Sequence, residues 1–202
     1  MSLIDSTYFT GSINIAGVDN SNSGNAELLT SFITRYEKEV LIYGLGLKQY
    51  NLLQAALVTA SQVPSALAEP YKSLVLGKDY TITVGTKTVD VTWGGLINET
   101  NTTSLIAYYT YWYWMQNAVN RQAYLETAVT SLENGIVTSP HDNMVRGWRE
   151  FIQLYGLNNY SAYDGNIERT LFEYISDQNK LVVDTFADWT FKPFENQNRF
   201  GI

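Results

Sequence analysis

Apolar residues recur at intervals of three and four from Ala26 onward, which is the spacing of one face of an α-helix. This face predicts a helix of about five turns that ends at Gly44 and Gly46, and its members are Leu28, Leu29, Phe32, Ile33, Tyr36, Val40 and Tyr43. A second helical stretch runs from about Leu47 to Ala60 and stops before Pro64. Two antiparallel helices are the simplest arrangement of these stretches.

Strict alternation replaces the helical spacing between residues 78 and 93. On both sides of Gly85, apolar or aromatic residues occupy every second position of KDYTITVGTKTVDVTW. Alternation around a glycine-centred turn predicts a β-hairpin.

Three later segments return to helical spacing. The most apolar of them, SLIAYYTYWYWMQN, covers residues 104–117 without a helix breaker, so we expect it to be the most buried helix. The next helix opens at Ser139 and Pro140 and stops at Gly156. The last runs from about Asp164 to Gln178. Thr, Val and Gly residues within 119–139 favour an extended excursion there.

The two ends differ in character from the middle of the chain. Residues 1–25 combine short apolar pairs with the loop-forming cluster VDNSNSGN, while residues 181–202 are aromatic and polar and include Pro193. We therefore expect a mainly α protein: a helical bundle core at 26–180 with one β-hairpin, an extended N-terminal arm at 1–25, and a C-terminal tail at 181–202 that docks or projects.

Charge and composition narrow the possible functions. The formal net charge is −7, and the thirteen Lys and Arg residues form no basic run, which disfavours tight nucleic-acid binding. Cysteine is absent, which excludes disulfides and thiolate metal sites. The chain has no apolar stretch of the roughly 18 residues that a membrane helix needs, and we expect neither a membrane span nor secretion.

Residues able to carry catalysis are sparse or uninformative. The single histidine, His141, stands beside Pro140 at a predicted helix start, where a surface or capping role is the simpler interpretation. Among twenty carboxylates, Asp184 and Asp188 have the spacing of one helix face and are the pair we single out for a hydrolase. Such pairs are common by chance, so we expect no enzyme activity, no cofactor and no metal.

Aromatic residues concentrate at 108–114, where six of seven residues are aromatic. These rings must lie on more than one side of the helix, which suits a helix buried all round or a protein interface. An alternative function is a carbohydrate-binding module that stacks sugars on Tyr108, Tyr111, Trp112 and Trp114. The interface candidates are the rings of this run and of both ends: Tyr8, Phe9, Tyr108, Tyr111, Trp112, Trp114, Trp189, Phe191 and Phe194.

Five segments of the chain, taken in order, carry a family resemblance. They are SLIDSTYFTGSINIAGV, RYEKEVLIYGLGLKQYNLL, the WGGL after the hairpin, SLIAYYTYWYWMQN and SPHDNMVRGWREFIQLYG. In this order they resemble structural proteins of phages and prophages of gut Bacteroidetes, namely the head–tail connector, neck adaptor or head-completion proteins. None of the segments is a catalytic signature, so the specificity lies in their order and spacing.

The resemblance implies a virion structural protein made in the cytoplasm of the host bacterium. It implies a homo-oligomeric ring of twelve copies beneath the portal vertex, in contact with the portal protein and with the tail or other neck proteins. DNA would pass through the ring without sequence-specific binding. One departure is NRQAYLETAVTSLENGIVT, which is more apolar and more helix-capable than the polar extended loop of the family.

Overall fold

The computed structural model describes residues 2–15, 18, 24–124, 140–156, 168–182 and 185–194. The helices of this part are α1 (Asn25–Thr59), α2 (Tyr71–Leu76), α3 (Leu105–Tyr124), α4 (Pro140–Tyr155) and α5 (Leu171–Leu181). The strands are β1 (Lys78–Val84), β2 (Lys87–Trp93), β3 (Ile97–Asn98), β4 (Thr103–Ser104) and β5 (Glu168–Arg169). Single 3-10 turns occur at Ser6–Tyr8, Gly11–Ile13 and Pro64–Ala66. The predicted mainly α fold class is confirmed.

Both predicted N-terminal helices lie within α1, joined by one residue instead of a loop. Gly46, with φ 78° and ψ 157°, breaks the helical conformation there. In the first half, Glu37 accepts a hydrogen bond from Leu3 N, and in the second half Leu57 lines a cavity together with the same Leu3. Residues 37 and 57 would be about 30 Å apart along a straight helix. α1 is therefore sharply bent at Gly46.

The C-terminal tail supplies hydrogen-bond donors to the backbone at this break. Tyr43 and Gly44 lie in the last turn before Gly46, where helical carbonyls lose their usual donors. Gly44 O accepts a hydrogen bond from Trp189 Nε1 at 2.7 Å, and Tyr43 O accepts one from Lys192 N at 2.8 Å. An unpaired buried carbonyl would destabilise the fold. Residues 185–194 of the predicted tail thus dock on α1.

The β-hairpin lies where the alternation predicts it. β1 and β2 pair antiparallel from Lys78 opposite Trp93 to Val84 opposite Lys87. Gly85, with φ 62°, begins the two-residue turn. At its base, β2 pairs in parallel with β5, which gives the sheet order β1-β2-β5. The base of the hairpin is thereby fixed to the core, while its tip is exposed.

The aromatic helix α3 is central. Eight of the nine residues from Ser104 to Trp112 are buried, the longest such run in the described part of the chain, as predicted. α3 packs against α1 on one side and α4 on the other. The bounds of α4 match the predicted start at Pro140 and the predicted stop before Gly156.

Two predicted segments are corrected. The extended excursion expected at 119–139 does not begin at 119, because α3 continues to Tyr124; residues 125–139 lie outside the described residues. The last helix begins at Leu171 and follows β5, whereas a start near Asp164 was expected. A capping box sets this start: Glu173 N donates to Thr170 Oγ1 at 3.2 Å, and Thr170 N donates to Glu173 Oε2 at 3.0 Å.

The N-terminal arm is folded onto the core along residues 2–15, contrary to the expected extended conformation. Its apolar side chains are buried, among them Ile4, Tyr8, Phe9, Ile13 and Ile15. Glu37, itself buried, accepts hydrogen bonds from the Ser2 hydroxyl and from Leu3 N, the latter at 2.9 Å. The arm is therefore part of the domain.

Candidate functional site

A cleft of about 480 Å³ lies where α1, α3, α4 and the tail meet. Five rings and four other residues line it: Tyr43, Trp112, Tyr113, Trp148 and Phe194, with Glu39, Gln116, Lys192 and Pro193. Helical spacing explains the arrangement, because residues four apart on a helix share one face. The volume falls in the range of roughly 300–1,000 Å³ that is typical of binding pockets.

Glu39 is the one acidic residue of this lining, and a buried tyrosine orients it. The Tyr109 hydroxyl donates to Glu39 Oε1 at 2.7 Å and lies 3.3 Å from the Tyr113 hydroxyl. Burial, these hydrogen bonds and the charge of Glu39 together raise the pKa of Tyr109. The phenol therefore stays protonated at neutral pH, and one carboxylate oxygen is fixed as its acceptor.

The rings of the cleft are held by other rings. Tyr113 stacks on Tyr36 with centroids 4.2 Å apart and planes 8° from parallel. Trp112 and Trp148 meet at 4.9 Å. Aromatic pairs in such contact restrict each other's rotamers. The cleft is thus preformed by core packing.

Lys192 and Phe194 bring the tail into the cleft. The Lys192 ammonium lies 3.8 Å from the centroid of the Tyr43 ring, a cation–π geometry. Phe194 meets the same ring edge-on at 5.5 Å. The rim of the cleft therefore carries one positive group and one negative group, Lys192 and Glu39.

The nine predicted interface rings fall into two groups. Tyr8, Phe9, Tyr111 and Trp112 are buried, whereas Tyr108, Trp114, Trp189, Phe191 and Phe194 are half-buried. Of the nine, Trp112 and Phe194 line the cleft. Three further rings of the cleft were not among the predicted set, namely Tyr43, Tyr113 and Trp148. Tyr113 lies in the conspicuous aromatic run, but no local signal marks Tyr43 or Trp148.

The burial of the candidate sugar-stacking rings counts against the carbohydrate-binding alternative. Tyr111 is 2% exposed and Trp112 is 5% exposed. A ring that stacks on a sugar needs one free face, and neither ring has one in this conformation. Tyr108 and Trp114 are partly covered by the core as well.

Several carboxylates, including Asp188 of the pair considered for catalysis, bind other groups of the protein. Glu37 binds the N-terminal arm and Glu39 binds Tyr109. Asp188 forms an ion pair with Lys48, whose hydrogen bond and charge lower the pKa of Asp188. Asp184 and the side chain of His141 lie outside the described residues.

Within the described residues, no group of three or more His, Cys, Asp or Glu side chains is placed to hold a metal ion. Among the described helices, none is both long and apolar enough to cross a bilayer.

Apolar side chains remain exposed elsewhere. In the second half of α1, Leu47 is 59% exposed, Leu52 45% and Val58 68%. Val182, at the end of α5, is 63% exposed. Of these residues, Leu47 and Val58 lie on the same side of the helix, whereas Leu52 is about 140° away from Leu47.

No protein-family model, no curated protein and no solved structure matches this chain. The resemblance to phage neck proteins therefore rests on the order of the five segments alone.

Proposed function

We propose that the chain is a structural subunit of a phage neck, one copy of a ring that joins the portal vertex to the tail. The order of the five segments motivates the family, and the aromatic cleft is the observation that carries the proposal. Its half-buried rings, Tyr43, Tyr113 and Phe194, form a socket for a side chain or short segment of a neighbouring protein in the virion, while Trp112 and Trp148 are buried.

Its lining suits a protein neighbour. Tyr and Trp dominate the energetics of protein interfaces, especially where they form a pocket. Here the rings are already fixed, so a neighbour binds without the entropy loss of ordering them. Glu39, held by Tyr109 at 2.7 Å, and Lys192 offer one charge of each sign at the rim. Opposite charges on a neighbour would set its orientation.

The charge of the chain suits a DNA passage. With a net charge of −7, the subunit repels a polyanion on average. DNA can then move past the ring without adhering to it. The ring needs a heterologous contact, in which two different surfaces of neighbouring copies meet. The cleft supplies one of these surfaces, and the portal and tail proteins are further partners.

Light scattering across a range of protein concentrations, followed by negative-stain imaging of the large species, tests the proposal. We expect closed rings with a central hole. The variant Gln116→Trp fills the cleft with an indole and should reduce ring formation while the fold is retained. Gln153→Trp is the matched control, because Gln153 is exposed on α4, away from the cleft. A chain that stays monomeric both at high concentration and when mixed with its portal protein would refute the proposal.

A further inference from the structure

We infer that the aromatic cleft takes the guanidinium group of an arginine side chain that a neighbouring protein presents. The chain's own Lys192 occupies the rim of this cation site until the arginine enters. The inference rests on the proposed function, because it names what enters the socket, but its chemistry is tested on the chain alone.

The rings of the cleft already hold one cation. The ammonium group of Lys192 lies 3.8 Å from the centroid of the Tyr43 ring, where the ring attracts positive charge. Phe194 meets the same ring edge-on at 5.5 Å, and Tyr113 lines the same cleft. The side chain of Lys192 is exposed. The aromatic wall therefore suits a positive group, and water can take up the ammonium group when another cation displaces it.

Glu39 favours a positive occupant over an apolar or acidic one. Its side chain is half-buried in the lining, and its Oε1 accepts the hydrogen bond of the Tyr109 hydroxyl at 2.7 Å. A carboxylate has about four acceptor positions, and the Tyr109 hydroxyl uses one of them. A side chain that fills the cleft removes water from this carboxylate, which is costly unless the occupant supplies a counter-charge. A cation supplies that charge and also suits the rings.

Lys192 does not neutralise Glu39 in the folded chain. None of the ion pairs between described residues joins these two side chains. The backbone N–H of Lys192 donates to Tyr43 O at 2.8 Å, and its ammonium group lies over the Tyr43 ring. Glu39 and Tyr43 are four residues apart on α1 and share one face of the helix. The cleft therefore presents a carboxylate and a cation-binding ring side by side, with the carboxylate still to be paired.

Arginine fits this combination better than lysine. Its planar guanidinium group stacks on a ring face and donates hydrogen bonds in its own plane, so one group can contact both a tyrosine ring and a carboxylate. It is also more weakly hydrated than an ammonium group, so it loses less when it enters a half-buried cleft. The net charge of −7 attracts a basic partner on average. These properties together point to an arginine side chain as the occupant.

Saturation-transfer NMR of small probes with the full chain tests the inference, because it detects weak ligands of monomers and of large assemblies alike. The probe is Nα-acetyl-arginine amide, and the matched neutral probe is Nα-acetyl-citrulline amide, in which a urea of nearly the same shape replaces the guanidinium group. We expect saturable binding of the arginine probe and at least about tenfold weaker binding of the citrulline probe. Nα-acetyl-lysine amide should also bind more weakly than the arginine probe. Equal binding of the arginine and citrulline probes, binding of neither, or tighter binding of the lysine probe would overturn the inference.

Two variants with opposite expected effects place the arginine probe in the cleft. Glu39→Gln keeps an acceptor for the Tyr109 hydroxyl but removes the charge, and it should weaken binding of the arginine probe at least about threefold. Glu150→Gln is the matched control, because Glu150 is also half-buried but lies outside the lining of the cleft. Lys192→Met removes the resident cation and should tighten binding about twofold or more. Unchanged binding by Glu39→Gln, or weaker binding by Lys192→Met, would overturn the inference.

Arginine binding and ring formation are scored separately. Rings that form while the arginine probe does not bind would leave the neck proposal standing and overturn the cation site. Arginine-selective binding by a chain that forms no rings, alone or with its portal protein, would support the cation site and refute the neck proposal.

Discussion

Replacing Gly46 by alanine tests whether the break in α1 requires glycine. The backbone at φ 78° and ψ 157° lies in a region that is essentially restricted to glycine, and a residue with a Cβ pays about 1–3 kcal/mol there. A Cβ at this position would also overlap the Thr190 hydroxyl and lie 3.2 Å from Thr190 N. Moving the tail to relieve this overlap would weaken the Trp189 and Lys192 hydrogen bonds, at about 1 kcal/mol each.

Together these costs predict that Gly46→Ala lowers the free energy of unfolding by roughly 3–5 kcal/mol. This is a large share of the total free energy of unfolding of a typical protein, which is about 5–15 kcal/mol. Urea denaturation measures the change. Gly85→Ala is the control, because Gly85 also has a positive φ but open space around it, so only the backbone cost of about 1–2 kcal/mol applies. Thr190→Ala in the Gly46→Ala background should restore part of the loss. A Gly46→Ala chain within about 0.5 kcal/mol of the wild type would refute this account of the break.

Two further predictions concern the ends of the chain. Burial raises the pKa of Glu37 more than its hydrogen bonds to the N-terminal arm lower it, so the folded chain binds this proton more tightly than the unfolded chain. The contribution of Glu37 to the free energy of unfolding should thus fall as pH rises from its unfolded pKa through its raised folded pKa. Urea titrations at several pH values should show that the wild type loses stability relative to Glu37→Gln over this rise in pH. A difference in stability that does not change with pH would contradict the assignment. Thr170→Ala removes the cap of α5 and should lower stability by about 1 kcal/mol in thermal denaturation, while Thr170→Ser should retain it; equal losses in both variants would show that the hydroxyl is not the cause.

The elements that the sequence predicted well are those whose signal is local. Alternation around Gly85 sufficed for the hairpin, and Pro140 with Gly156 sufficed for the bounds of α4. The start of α5 also had a local signal, the Thr170-x-x-Glu173 capping box, which the apolar residues upstream obscured. This capping box alone indicates a helix that starts at Leu171.

Other features depend on contacts that no local pattern contains. Gly44 and Gly46 indicated that a helix ends there. They did not indicate that the tail would donate hydrogen bonds to the carbonyl groups of Tyr43 and Gly44. These hydrogen bonds allow α1 to resume after one residue. The cleft has the same origin, because Tyr43, Tyr113 and Trp148 come from three helices and meet only in the folded chain. The aromatic excess at 108–114 was visible in the sequence, yet whether a ring faces the core or a partner is decided by neighbours such as Tyr36 and Phe151.

The docking of the tail on the break also has a consequence for the timing of folding. Trp189 and Gly44 are 145 positions apart, so the contact that completes the break in α1 forms long after both halves of the helix have been synthesised. During synthesis the two halves of α1 leave the ribosome early, and their exposed carbonyls stay with water until residues 189–192 arrive. Contacts of such separation slow folding, because a long loop must close before they form. The bend of α1 is therefore expected to be completed only after residue 192 has left the ribosome, and until then the surface that the tail covers would be open to chaperones.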